Sequence, residues 1–261
     1  MSSKIRKKSI LEHVYSYDEV TVQDLSMMFN VSEMTIRRDL IKLEDEGFIR
    51  RTYGGAIAIN RNFETPVQIR SAENLDKKKA IATACANLVQ AKDTLLMDAG
   101  TTVMEVARRL PEGLDLTVIT NAITVVNVLI DRPDIKLIVL GGPVEHVPQV
   151  TVGSSVIETI KYLNVNRAFI TATGFSIEHG LTDANILQSE IKKLMMSRAQ
   201  MKTLVIDSSK YGTTSLHRFS DIQEFDQVVT DNKLDQAIVE RLQSFPIEVI
   251  LASISDSIGS K

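Results

Sequence analysis

The sequence predicts an α/β protein in two parts. The first is a small N-terminal unit of three short helices followed by a basic hairpin. The second is a larger open α/β domain with a mostly parallel sheet. Three observations carry this. Between residues 22 and 43, two apolar-periodic helical stretches flank a turn. Residues 48–59 read as two β-prone runs about a Gly-Gly pair. From residue 75 onward, short continuous apolar runs alternate with amphipathic segments, as in a sheet covered on both faces.

The N-terminal elements follow in order. A first helix from Lys4 to about Tyr15 turns Ile10, Leu11 and Val14 inward and starts with Lys4, Arg6, Lys7 and Lys8. Val20-Thr-Val22 can supply a short edge strand, and a second helix buries Val22, Leu25 and Phe29. Ser32 is a good N-cap for the third helix. At about 100° per residue, Ile36, Leu40 and Leu43 fall on one stripe, while Met34, Arg37, Arg38 and Lys42 project from the other side with Thr35 at the margin. A short helix, a turn and a second helix with a basic outer face make a helix-turn-helix, whose second helix can enter a major groove. A basic helical stretch alone is more often a solvated face. What favours DNA here is the hairpin that follows it, with Arg50, Arg51 and Tyr53 ahead of Gly54-Gly55, placed as a wing against the backbone or minor groove. The expected DNA contacts are Ser32, Met34, Thr35, Arg37, Arg38, Lys42, Arg50, Arg51, Tyr53 and Gly54. The Gly54-Gly55 turn is expected to need positive φ.

Composition bounds the class. Of 261 residues, 44% are hydrophobic and 24% charged, a globular balance. No apolar run reaches the ~18 residues of a membrane span, and no signal-peptide block opens the chain, so a cytoplasmic protein without a membrane partner is expected. The single cysteine, Cys85, lies in an apolar stripe with Ile81, Leu88 and Val89 and reads as a core thiol. Histidines 13, 146, 179 and 217 lack metal-ligand spacing, so neither metal nor cofactor is expected. The net charge of −3 argues against a generally basic nucleic-acid binder. Residues 1–60 carry nine Lys/Arg and nine Asp/Glu, yet the cations cluster on the first helix, the third helix and the wing. A focused patch suffices for a site-specific binder.

The expected boundaries are 1–59 for the DNA-binding unit, 60–74 for a polar linker interrupted by Pro66, 75–252 for the α/β domain and 253–261 for a tail. In the α/β domain a helix over 76–90 precedes strands near 94–97, 116–119, 135–140, 167–170, 203–206, 227–229 and 248–251. Helices are expected between most of them, at 103–110, 122–130, 153–162, 188–200 and 233–242. Ligands of open α/β sheets sit beyond the C-terminal strand ends. Those ends read Asp98-Ala-Gly100-Thr101-Thr102, Thr120-Asn121, Gly141-Gly142, Thr171-Ala-Thr-Gly174 and Asp207-Ser-Ser-Lys210. Gly100 permits close backbone approach, Thr101 and Thr102 offer hydroxyls and amides at a helix start, and Lys210 can supply a countercharge for phosphate. The expected effector site is therefore Asp98, Gly100, Thr101, Thr102, Thr120, Asn121, Gly141, Gly142, Gly174 and Lys210. Each turn taken singly has a structural explanation, since a βα turn needs its glycine or capping threonine; five polar ends in one sheet favour a shared pocket.

Met34-Thr-Ile-Arg-Arg-Asp-Leu40, Leu43-Glu44, Ile49-Arg-Arg51 and Gly54-Gly-Ala56 resemble the winged helix of the DeoR family of bacterial transcriptional regulators. Asp98-Ala-Gly-Thr-Thr102, Thr120-Asn121, Gly141-Gly142, Gly153, Gly180-Leu-Thr182, Glu190 before Lys192-Lys193, and Asp207-Ser-Ser-Lys-Tyr-Gly212 resemble its sensor domain, similar in fold to ribose-5-phosphate isomerase and glucosamine-6-phosphate deaminase. The resemblance implies a repressor of sugar or carbohydrate-derivative genes, released from operator DNA by a phosphorylated sugar, and a homodimer or homotetramer. Two positions depart from the family's frequent residues: Glu145 stands shortly after the Gly-Gly where many members carry arginine, and Ala99 where serine is common. An alternative is a sugar-phosphate isomerase or deaminase with a DNA-binding appendage, for which Asp98, Asp183 and Asp207 are the available bases. An architectural DNA binder without effector would leave the strand-end pattern unexplained.

Overall fold

A computed structural model describes residues 3–17, 19–46, 48–58 and 66–254. Ile59, residues 60–65 of the expected linker, Gly47, residues 255–261 of the expected tail and the side chains of Lys4 and Lys8 lie outside that description. The chain divides into two compact units, Met1–Glu73 and Asn74–Lys261.

In the first unit, α1 (Ser3–Tyr17), β1 (Glu19–Thr21), α2 (Val22–Phe29), α3 (Glu33–Asp45), β2 (Ile49–Arg51), β3 (Gly55–Ala58) and α4 (Val67–Arg70) follow in order. Thr21 caps α2, its hydroxyl accepting from the Asp24 amide at 3.0 Å. Asn30 ends α2 in the left-handed region at φ 49°, which turns the chain within three residues onto the Ser32 N-cap of α3. The inward stripes meet as expected: Ile10, Val14, Leu25, Ile36, Leu40 and Leu43 are all buried in one cluster. Each such side chain contributes about 1.5–3 kcal/mol on burial. The hairpin joins β1 to form an antiparallel sheet of order β1-β3-β2. The segment expected as linker carries structure at its far end: Pro66 opens α4, and Ile69 is buried against this core. Its apolar Val-Gln-Ile pattern outweighs the polar run before it.

The second unit holds, in order, α5 (Leu75–Ala86), β4 (Thr94–Met97), α6 (Thr101–Arg108), β5 (Leu116–Thr120), α7 (Ile123–Leu129), β6 (Ile135–Val139), β7 (Val144–Glu145), β8 (Val150–Thr151), α8 (Ser154–Lys161), β9 (Val165–Ile170), β10 (Gly174–Ser176), β11 (Gly180–Asp183), α9 (Ile186–Ser197), β12 (Ala199–Val205), β13 (His217–Ser220), β14 (Gln227–Asp231), α10 (Gln236–Gln243) and β15 (Glu248–Ala252). Seven of these strands make one sheet of order β15-β14-β12-β9-β4-β5-β6, parallel at every pairing. All seven coincide with the apolar runs. Two small antiparallel sheets, β10-β11-β13 and β7-β8, lie outside that pattern. Their strands are too short and polar to stand out by periodicity. Cys85 is buried in the larger core, where desolvation pushes its thiol far above the ordinary value and leaves it unreactive.

From β4 the chain steps one way through β5 and β6, then returns to the other side of β4 through β9, β12, β14 and β15. The reversal between β4 and β9 is a topological switch point, the place beyond the strand ends where open α/β sheets bind their ligands.

Candidate functional site

On the first unit, α3 presents an outward face whose cations differ in what they already hold. Arg37 reaches back to Glu33 at 3.4 Å, and Arg51 pairs with Glu44 at 2.6 Å while its amide donates to the same carboxylate. Arg51 also holds the Glu44 carboxyl below its ordinary value. Arg38, Lys42 and Arg50 are exposed and have no ion pair among the described residues. The Ser32 hydroxyl is used as an N-cap and meets the Thr35 hydroxyl at 2.9 Å. Met34 is 60% exposed, and Tyr53 is fully exposed at the wing tip.

Two expectations need correcting. Arg6 is not part of an exposed basic patch: its Nε donates to Asp39 at 2.6 Å with both side chains buried. Asp39 falls beside Leu40 and Leu43 on the inner face of α3, so it needs a buried cation. The wing glycines do not adopt positive φ. The turn spans Thr52 to Gly55, closed by the Thr52 amide on the Gly55 carbonyl at 3.1 Å, and the essential glycine is Gly55. A Cβ there would sit 1.8 Å from the Val20 carbonyl oxygen, whereas Gly54 faces open space.

On the second unit, the switch point gathers the loop after β4 against the loop after β9. Gly100 lies at φ 151°, and a Cβ on it would come within 2.5 Å of Thr171 Cγ2. This contact sets Thr101 and Thr102, both buried, as the first residues of α6, a helix with no side-chain cap. Its first-turn amides therefore receive no side-chain cap from the N-cap residue, the kind of helix start that suits an anion. From the neighbouring β5, buried Asn121 donates its Nδ2 to the Thr151 carbonyl at 2.9 Å, and its Oδ1 has no partner among the described residues. Such an orphaned buried acceptor calls for a donor. Lys210, half-buried, follows β12 in a short 3-10 turn capped by Asp207.

Other expected residues are already committed within the fold. The Thr120 hydroxyl donates to the Met97 carbonyl at 2.7 Å and accepts from the Ala122 amide. Gly174 is buried in β10 so that the Thr213 backbone can approach, a Cβ being 2.2 Å from its oxygen. Gly141 and Gly142 follow the edge strand β6, away from the switch point, and Gly142 gives room to the Val152 carbonyl. Asp98 accepts the Thr171 amide at 3.0 Å across the switch point.

Lys192, on α9, is the component absent from the expected site. Its Nζ donates to Asp98 Oδ2 at 2.5 Å and to the Thr171 carbonyl at 2.9 Å, and lies 3.3 Å from Asp183 Oδ2. Burial raises the Asp98 carboxyl above its ordinary value, against the opposing pull of Lys192 and the Thr171 amide. The cluster ties the loop after β4 to the loop after β9 and both to α9. Its signal in the sequence is a lysine falling at the buried register of α9, beside Ile191 and Met195. Glu145 also has a place: it accepts from Asn185 Nδ2 at 2.8 Å, orienting the residue whose oxygen caps α9.

A winged helix-turn-helix in the same chain as an α/β unit with polar strand ends at a topological switch point defines a DNA-binding regulator with a sensor domain. The chain belongs to the DeoR family: residues 6–62 match the DeoR-like helix-turn-helix domain and residues 73–232 the DeoR C terminal sensor domain. The HTH-type transcriptional regulator YulB of Bacillus subtilis is 34% identical over 96% of this chain and 97% of its own length. The HTH-type transcriptional repressor GlcR of the same organism is 33% identical, again over 96% and 97%. Ribose 5-phosphate isomerase A from Methanocaldococcus jannaschii aligns with 53% of this chain and 55% of its own at 18% identity and a TM-score of 0.40. The relatives are regulators, and the chain is a transcriptional regulator rather than an enzyme. No helix among the described residues is long and apolar enough to cross a membrane.

Proposed function

We propose that this regulator represses genes for a sugar or carbohydrate derivative and leaves its operator when a phosphorylated sugar occupies the switch point. The observation that carries the reading is the pairing of the uncapped α6 start at Gly100-Thr101-Thr102 with the unpartnered buried Oδ1 of Asn121 on the adjacent loop. The first suits a phosphate; the second suits a sugar hydroxyl, which can donate where an anion cannot. Lys210 adds countercharge from the β12 loop. The relative GlcR is by name a repressor, which supports repression here. The protein is taken to work in the cytoplasm as a homodimer or homotetramer. A thermal-shift screen with matched sugars and sugar phosphates tests the chemistry: phosphorylated members should raise the Tm and their unphosphorylated partners should not. Equal shifts for both, or none, would remove phosphate from the account.

A further inference from the structure

We infer that Met34 is a base-reading residue that recognises the 5-methyl group of a thymine in the operator. This rests on α3 being the helix that enters the major groove. Met34 is the second residue of α3, and the N-terminal residues of a recognition helix are the ones that reach base edges. It lies on the side of the helix opposite the buried Ile36, Leu40 and Leu43, and is 60% exposed. Its neighbours on that first turn are occupied. Glu33 is bridged by Arg37, and the Ser32 and Thr35 hydroxyls are joined to each other in the cap. Met34, Arg38 and Lys42 follow one another at i, i+4 and i+8 and form a single row along the helix. Arg38 and Lys42 can engage a guanine edge or phosphates.

A thioether side chain offers no donor and only a weak acceptor. Among the major-groove edges, the thymine methyl is the one apolar group, and apolar contact with it is how side chains of this kind read sequence. A flexible Met at this place also tolerates small differences in approach. Met34 is not among the side chains buried in, or packed against, the core of this unit.

The test uses the full chain and a random duplex library, from which operators bound by the wild type, Met34→Gln and Arg38→Ala are selected in parallel. The wild-type set should contain a T·A pair whose preference disappears with Met34→Gln while the rest of the motif is retained. Replacing that thymine by deoxyuridine, which removes only the methyl, should weaken wild-type binding about four- to tenfold and leave Met34→Gln unchanged. About 0.8 kcal/mol for a methyl-sized apolar group, at 1.4 kcal/mol per tenfold, sets the lower end. A 5-methylcytosine placed there should recover part of the loss. If both proteins select the same motif, or deoxyuridine weakens them equally, Met34 does not read the methyl. If Arg38→Ala also keeps full affinity and motif, the fault lies with the docking of α3 itself.

Discussion

Lys192 Nζ lies 2.5 Å from Asp98 Oδ2, with both side chains almost wholly shielded from solvent, and Asp183 completes the cluster at 3.3 Å. One buried ammonium thus serves two buried carboxylates. Lys192→Met keeps most of the volume but leaves both carboxylates without their buried cation, each keeping only a backbone amide. Removing one partner of a buried pair costs about 3–5 kcal/mol. Urea unfolding of the full chain should show a loss of that size in the sensor-domain transition. A loss under about 1 kcal/mol, the scale of an exposed pair, would mean that the cluster is hydrated in solution.

The same cluster gives a pH dependence with a defined sign. Burial raises the Asp98 carboxyl above its ordinary value of about 3.9, so the native state holds that proton more tightly than the unfolded chain does. Below the unfolded value both states are protonated and Asp98 favours neither. Between that value and the raised folded value, increasing pH ionises the unfolded chain first and removes stability; above the folded value the loss is complete. The stability of the wild type relative to Asp98→Asn should therefore fall as pH rises through this window and then level off. An increase with pH, as for a carboxylate with a depressed value, would contradict the assignment.

Gly55, rather than Gly54, should be the sensitive position of the wing. Gly55→Val drives a side chain into the Val20 carbonyl oxygen, breaking the β1–β3 pairing at a cost of about 1–3 kcal/mol or more. Gly54→Val enters open space at a residue without positive φ. By fluorescence anisotropy on a selected operator, Gly55→Val should bind weakly and Gly54→Val should remain close to wild type. The reverse order would return the turn to the glycine pair first expected.

Among the cations of the DNA-binding face, the unpaired ones should matter most. Lys42→Ala should lower affinity alike on all sequences and make the slope of log K against log salt shallower by about 0.9, one phosphate contact. Arg38→Ala should cost about 1–3 kcal/mol if it reads a guanine. Arg51→Ala should act less through DNA than through the wing, because its guanidinium is held by Glu44. An unchanged salt slope for Lys42→Ala would remove that residue from the interface.

Much of this was legible in the residues. The helix-turn-helix follows from Ile36, Leu40 and Leu43 at helical spacing behind a Ser32 cap, and all seven parallel strands coincide with apolar runs. What the sequence concealed depends on partners far away in the chain. Arg6 looks like a surface cation until α3 brings Asp39 to it, 33 residues on. Lys192 looks like one of a surface pair with Lys193 until the switch point places Asp98 beneath it, 94 residues away. Thr120 and Gly174 carry the right chemistry for a ligand, but the fold consumes it: the first ties β4 to β5, and the second admits the Thr213 backbone. Local pattern reveals which groups exist; only the tertiary pairings tell which are left over for function.

The most direct test of the account is operator affinity measured with and without the best sugar phosphate, for the wild type, Thr101→Val and Lys210→Ala. Linkage requires that a ligand which releases DNA be weakened by DNA to the same degree. The wild type should lose affinity on adding the ligand, while both variants should bind the operator normally and be released only at much higher ligand concentration. Release of both variants at the wild-type concentration would place the effector away from the switch point between β4 and β9.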